Sequence, residues 1–111
     1  MPIGSHYTGL IDEPKATNGE NDGQIYLIWG VNREKNLSHY ELYRSEKENF
    51  KANKKTFVCN VYPEPFVIAR HVDVGLKINT RYYYKVRAVN KNGVKGDFSK
   101  EFLAKTKEHI E

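Results

Sequence analysis

DVGLKINTRYYYKVRAVNKNG, from Asp73 to Gly93, decides the fold. Arg81 to Asn90 alternates large apolar residues with polar ones at a period of two. Tyr82, Tyr84, Val86 and Ala88 fall on one side of that run, and Tyr83, Lys85, Arg87 and Val89 on the other. A period of two is the signature of a β-strand packed on one face. Asp73–Thr80 reads as a turn before it. Leu76 is expected to fold over that turn into the core, with Tyr82 beneath it. The Tyr82 hydroxyl then reaches a backbone group upstream, and removing it would leave a partner unpaired at a cost of about 1–3 kcal/mol. Turn, leucine and tyrosine together specify the corner of a β-sandwich.

Working outward, short apolar runs alternate with polar turns. Leu10–Thr17 is a weak first segment whose Pro14 marks an edge strand or an extended lead-in. NGENDG, residues 18–23, is a turn by composition. In Gln24–Val31, Ile25, Leu27 and Trp29 share one face, with Tyr26 and Ile28 opposite. In Ser38–Ser45, Tyr40 and Leu42 point one way, and His39, Glu41 and Tyr43 the other. Glu46–Lys55 is a lysine-rich connection expected to be mobile. Thr56–Val61 is a short strand, after which Pro63 and Pro65 interrupt the chain. Phe66–Val72 follows, with Ile68 and Phe66 expected inward. Phe98–Thr106 closes the domain. Seven short strands at this spacing predict an all-β, seven-strand Greek-key sandwich, with a barrel as the alternative. The lone Trp29 favours the sandwich, because a large ring can fill the space between two sheets; Trp29→Ala should cost about 3–5 kcal/mol.

A chain of 111 residues is one domain, large enough to bury a core without disulfides or metals. The net charge of +4 comes from lysines spread along the chain and interleaved with Glu and Asn, which argues against a nucleic-acid partner. One cysteine, Cys59, excludes an intrachain disulfide; in Thr-Phe-Val-Cys-Asn-Val it reads as a small apolar residue. His6, His39, His71 and His109 have no zinc-type spacing with a cysteine. No run approaches the roughly 18–20 apolar residues of a membrane helix, so no membrane insertion is expected.

The motifs, in this order, resemble a fibronectin type III domain, an immunoglobulin-like sandwich. They are Trp29 in YLIWG, Tyr40-Glu41-Leu42-Tyr43-Arg44-Ser45, Leu76 with Thr80 and Tyr82, the Tyr82–Asn90 strand with Gly93, then Ser99 and Thr106. The match runs from about Glu13 to Thr106. It divides the chain into a lead-in at residues 1–12, the domain at 13–106 and a tail at 107–111. The Leu76–Tyr82 corner then corresponds to the tyrosine corner of these sandwiches. The chain departs from the family in its poor first strand and in the long, proline-broken connection before Phe66. Its phrasing is most similar to bacterial modules appended to secreted carbohydrate-active enzymes. That implies a non-catalytic accessory module or spacer in a larger extracellular, periplasmic or cell-surface protein. Its partners would be neighbouring domains of the same polypeptide, and the module itself a monomer without cofactors.

No nucleophile–base pair is visible, and Glu13, Glu20, Asp22, Glu64 and Asp73 are expected in loops or at edges, with no cleft between them. Neither a phosphate loop nor a calcium loop is present, so no catalytic or metal-binding residue is assigned. The alternative is a glycan- or protein-binding module. If Ser38–Ser45 pairs antiparallel with Arg81–Asn90, Glu41 lies near Arg87, Tyr43 near Lys85, and Tyr83 diagonal to Tyr43. Tyr43, Tyr83, Lys85 and Arg87 would then present exposed aromatics beside charges, suited to stacking on sugars or peptides. They also read as ordinary cross-strand pairs. The following loop holds Lys95-Gly96-Asp97, which resembles the cell-attachment tripeptide that fibronectin carries in this loop and is equally ordinary turn chemistry. Lys95 and Asp97 complete the candidate set.

Overall fold

A computed structural model describes residues 11–30, 36–63 and 68–108. The strands are β1 (Asp12–Asn18), β2 (Ile25–Gly30), β3 (Leu37–Ser45), β4 (Phe57–Val61), β5 (Ile68–Asp73), β6 (Arg81–Asn90) and β7 (Phe102–Lys105). They form two antiparallel sheets, β1-β2-β5 and β4-β3-β6-β7. This is an all-β, fibronectin type III-like sandwich rather than a barrel.

Period-two patterning gives each sheet one apolar face, and the two faces meet. Ile25, Leu27 and Trp29 come from β2, Tyr40 and Leu42 from β3, and Tyr82, Tyr84, Val86 and Ala88 from β6; all are buried in one cluster. Trp29 packs edge-on against Tyr40 with ring centroids 5.4 Å apart, which couples the central strands of the two sheets. Leu76 packs on this cluster, and the backbone N–H of Lys77 donates to the Tyr82 hydroxyl at 2.9 Å. The tyrosine corner expected from the sequence is therefore formed.

Pro14 is buried in edge strand β1, where pairing with β2 shifts register between Asp12 and Lys15. A residue without an N–H is tolerated at such a bulge. Neighbouring Glu13 takes up the irregularity with φ of 43°. Gly23 closes the β1–β2 turn at φ of 69°, and its carbonyl accepts from Leu76 N–H. A Cβ there would lie 2.5 Å from the Leu76 carbonyl oxygen, so the turn and the corner need glycine to approach each other.

Several expectations are corrected. Ile68 is exposed, and Ala69 and Asp73 are the buried residues of β5. The register explains it: Ala69 sits opposite inward Trp29, and Asp73 opposite inward Ile25. Phe66 lies outside the described residues. Val89 is buried rather than outward-exposed, because the chain after β6 turns back and pairs Lys95 with it. The closing strand is shorter than Phe98–Thr106. Residues 98–101 run beside β6 without joining its ladder, held by Ser99, whose N–H donates to Val86 O and whose hydroxyl accepts from Val86 N–H. Thr106 is buried, and its hydroxyl donates to Lys77 O and accepts from Thr80 N–H, tying the end of the domain to the corner.

Residues 46–55 were expected to be mobile, but they are anchored. Phe50 is buried against Tyr43 and Tyr83, and the N–H groups of Asn49 and Phe50 donate to the Glu101 carboxylate. The Lys85 ammonium donates to Phe50 O at 2.6 Å and lies over the Phe50 ring. A single aromatic in a lysine-rich segment supplies the apolar contact that a mobile loop would lack.

Candidate functional site

The outer face of the four-stranded sheet carries the candidate site. Cross-strand register places Glu41 opposite Arg87, Tyr43 opposite Lys85 and Ser45 opposite Tyr83, which is the expected pairing. The Arg87 guanidinium donates from Nε to Glu41 at 2.7 Å and from Nη2 to the Tyr43 hydroxyl at 3.1 Å. That hydroxyl donates to Glu41 at 2.9 Å, and the Lys95 ammonium lies 3.4 Å from the second carboxylate oxygen. Burial works against ionisation of Glu41, but the bonds from Arg87 and Tyr43 and the charges of Arg87 and Lys95 outweigh it. The carboxyl is held below its ordinary range. Burial, then the bond to Glu41, raises the Tyr43 phenol.

Three aromatic rings stand around this ion-pair network. Tyr43 meets Phe57 of β4 at 5.5 Å and Phe98 at 5.3 Å, both edge-to-face. Arg87 lies 4.4 Å over Phe98 and 5.5 Å over Tyr43. An open groove of about 480 Å³ runs over them, rimmed by Lys54 and Lys95. Phe57 and Phe98 are exposed at its sides.

The six residues singled out from the sequence do not act together. Tyr43, Arg87 and Lys95 line the groove. Tyr43 and Tyr83 were expected to be exposed but are buried, because Phe50 packs over them. Lys85 is engaged by Phe50. Asp97 is exposed beside the groove and does not line it. Gly96 is buried and donates its N–H to Ala88 O, and Lys95 pairs with Glu41, so the tripeptide is folded back onto the sheet. Phe57, Phe98 and Lys54 were missed. Phe57 faces the groove only because the β3–β4 register shifts between Leu42 and Tyr43.

Elsewhere, Asp73 is not an edge carboxylate. It is buried, accepts from Arg44 at 2.8 and 2.9 Å, and accepts from the Tyr84 hydroxyl at 2.7 Å. Burial first, then the Asp73 charge and hydrogen bond, pushes the Tyr84 phenol far up. Cys59 Sγ lies 3.6 Å from His71 Nε2. Burial and the Asp73 charge push that thiol up, with Arg44 opposing, so it is held as the neutral, weakly nucleophilic form. Ser38 Oγ and His39 Nδ1 are 2.9 Å apart, but among the described residues no carboxylate bonds to the imidazole to complete a triad. Among the described residues no three His, Cys, Asp or Glu side chains gather as a metal site; His6 and His109 lie outside them.

No protein-family model matches the chain, and no curated protein matches it in sequence. Solved structures do match in fold. The sixth fibronectin type III domain of human fibronectin type III domain containing protein 3 matches 98% of this chain and 94% of its own, with TM-score 0.63 and 19% identity. A β-1,2-glucanase from Parabacteroides distasonis matches 93% of this chain, with TM-score 0.66 and 22% identity. A family 28 exopolygalacturonase from Yersinia enterocolitica matches 92%, with TM-score 0.69 and 16% identity. The chain spans 13% of the glucanase and 21% of the exopolygalacturonase.

Proposed function

We propose that this domain is a non-catalytic accessory module within a larger polypeptide, setting the distance and orientation between its neighbours. The observation that carries the reading is the course of the chain. It enters β1 at Asp12, level with Gly30 at the far end of β2. It leaves β7 beside Arg81, at the end where the Lys107 ammonium donates to Glu20 O. Entry and exit therefore lie at opposite ends of the sandwich, the geometry of a spacer joined in line. The enzymes whose structures contain a domain of this shape support the same context, since that domain is a small part of each. On this reading the parent is an exported protein that handles carbohydrate, and the module works in the periplasm, at the cell surface or outside the cell.

The test is a tandem in which Glu108 of one copy leads directly into Ile11 of the next. Small-angle scattering should give a rod about twice as long as one copy. A folded-back particle would refute the spacer role. Hydrolysis of β-glucan, pectin or mannan by the isolated domain would refute the non-catalytic part.

A second reading is recognition by the outer face of the four-stranded sheet. The groove over Tyr43, Phe57 and Phe98 favours it, being a concave, aromatic-walled feature with ammonium groups at its rim.

A further inference from the structure

We infer that the groove between Phe57 and Phe98 binds an acidic glycan, a chain of uronic acid units, whose sugar rings lie on the aromatic side chains and whose carboxylates meet Lys54 and Lys95. The inference rests on the recognition reading above and narrows it to one half of the sheet face and one ligand class.

Charge sets the sign of the ligand. Lys54, Arg87 and Lys95 line the groove against the single carboxylate Glu41. Arg87 is committed to Glu41 through its 2.7 Å bond and is held between that acid and the Phe98 ring. Lys95 is half-exposed and only 3.4 Å from Glu41, so it can turn outward, and Lys54 is exposed at the rim. A carboxylate entering here gains two ammonium partners without displacing the partly buried Arg87–Glu41 pair.

Shape sets the class. Phe57 and Phe98 are 41% and 37% exposed, and both rings are held by contact with Tyr43. Rings held in place offer apolar contact at little entropic cost. A sugar ring presents a C–H face that lies on such a surface. An acidic peptide is the competing ligand, but the groove floor is β3 and β6, which are interior strands of their sheet. They have no free backbone edge, so a peptide cannot add as a strand there and would lose the main-chain bonds that usually supply its affinity. The other half of the face, Tyr83 and Lys85, is covered by Phe50 and takes no part.

The experiment is calorimetric titration of the whole 111-residue chain with three probes: a tetramer of α-1,4-linked galacturonic acid, its fully methyl-esterified form, and a tetraglutamate peptide. The acid tetramer is expected to bind about tenfold more tightly than the ester, and to weaken as NaCl rises from about 50 to about 500 mM. Lys54→Ala/Lys95→Ala should erase the difference between acid and ester. Phe98→Ala should weaken both forms, and Tyr83→Phe should change neither. Circular dichroism of each variant confirms folding. Equal binding of acid and ester, tetraglutamate binding as well as the acid tetramer, or no binding of the tetramer to folded protein would each overturn the assignment. None of these outcomes touches the spacer role, which stands or falls on scattering by the tandem.

Discussion

Arg44 of β3 and Asp73 of β5 join the two sheets through a 2.8 Å ion pair, across 29 residues of sequence. Tyr84 of β6 donates to the same carboxylate, so a charge at the sheet interface holds three strands in place. Asp73→Ala should destabilise the domain by about 3 kcal/mol. That is the low end for a broken buried pair, because the Arg44 side chain is 32% exposed and can regain water. Urea denaturation of the two proteins measures the difference.

Tyr84 also gives the fold a pH dependence. Its native phenol titrates above the ordinary value of 10.0, so above that pH the unfolded chain loses a proton that the native state keeps. The stabilisation is complete below about pH 10 and declines as pH rises beyond it. Tyr84→Phe should lower stability at pH 7 by about 1–2 kcal/mol and flatten the alkaline decline. Denaturation midpoints at a series of pH values would show both effects, and an unchanged alkaline slope would remove Tyr84 from the account.

Tyr82→Phe tests the corner. The Lys77 N–H loses its acceptor in a partly buried position, at about 1–2 kcal/mol. The Lys77 amide should also exchange with solvent faster than in the parent protein, which a hydrogen-exchange experiment reads directly.

Gly23→Ala tests the contact between the first turn and that corner. The positive φ and the 2.5 Å approach to Leu76 O both resist a methyl group. The expected loss is about 1–3 kcal/mol, seen as a lower melting temperature. Gly93→Ala is the control, since its φ is also positive but nothing lies within 4 Å of the added Cβ.

Glu101→Ala should release the segment at residues 46–55. The Asn49 and Phe50 amides lose their acceptor, and local opening becomes easier by about 1–2 kcal/mol. Exchange at those two amides should accelerate while β6 amides stay protected.

Most of the sandwich is legible in the sequence because β2, β3 and β6 alternate cleanly, and Leu76 to Tyr82 has one plausible reading. The β5 face was misread because its parity depends on a register with β2 that no residue within β5 reveals. An apolar Ile68 at the strand start was a better inward candidate by composition than Ala69. Asp73, beside a glycine turn, has the composition of a loop carboxylate, and its role appears only when Arg44 and Tyr84 are brought beside it by pairing. The candidate site was half legible. Glu41, Tyr43 and Arg87 follow from antiparallel pairing. Phe57 needs the bulge, and the covering of Tyr83 needs one phenylalanine in a basic segment to fold inward.

The placement of entry and exit has a mechanical consequence. A tension applied at Asp12 and Lys105 would run along the strands, so β1 and β7 would be loaded in shear against β2 and β6. Bonds in shear share the force and fail together, whereas a peeled edge breaks one bond at a time. The two ladders are not equal in this respect. In β1 the pairing is interrupted between Asp12 and Lys15, so tension entering at Asp12 passes through the Glu13–Pro14 bulge before reaching the regular pairs from Lys15 to Asn18. In a pulling experiment the bulge is thus expected to yield first, ahead of the regular pairs.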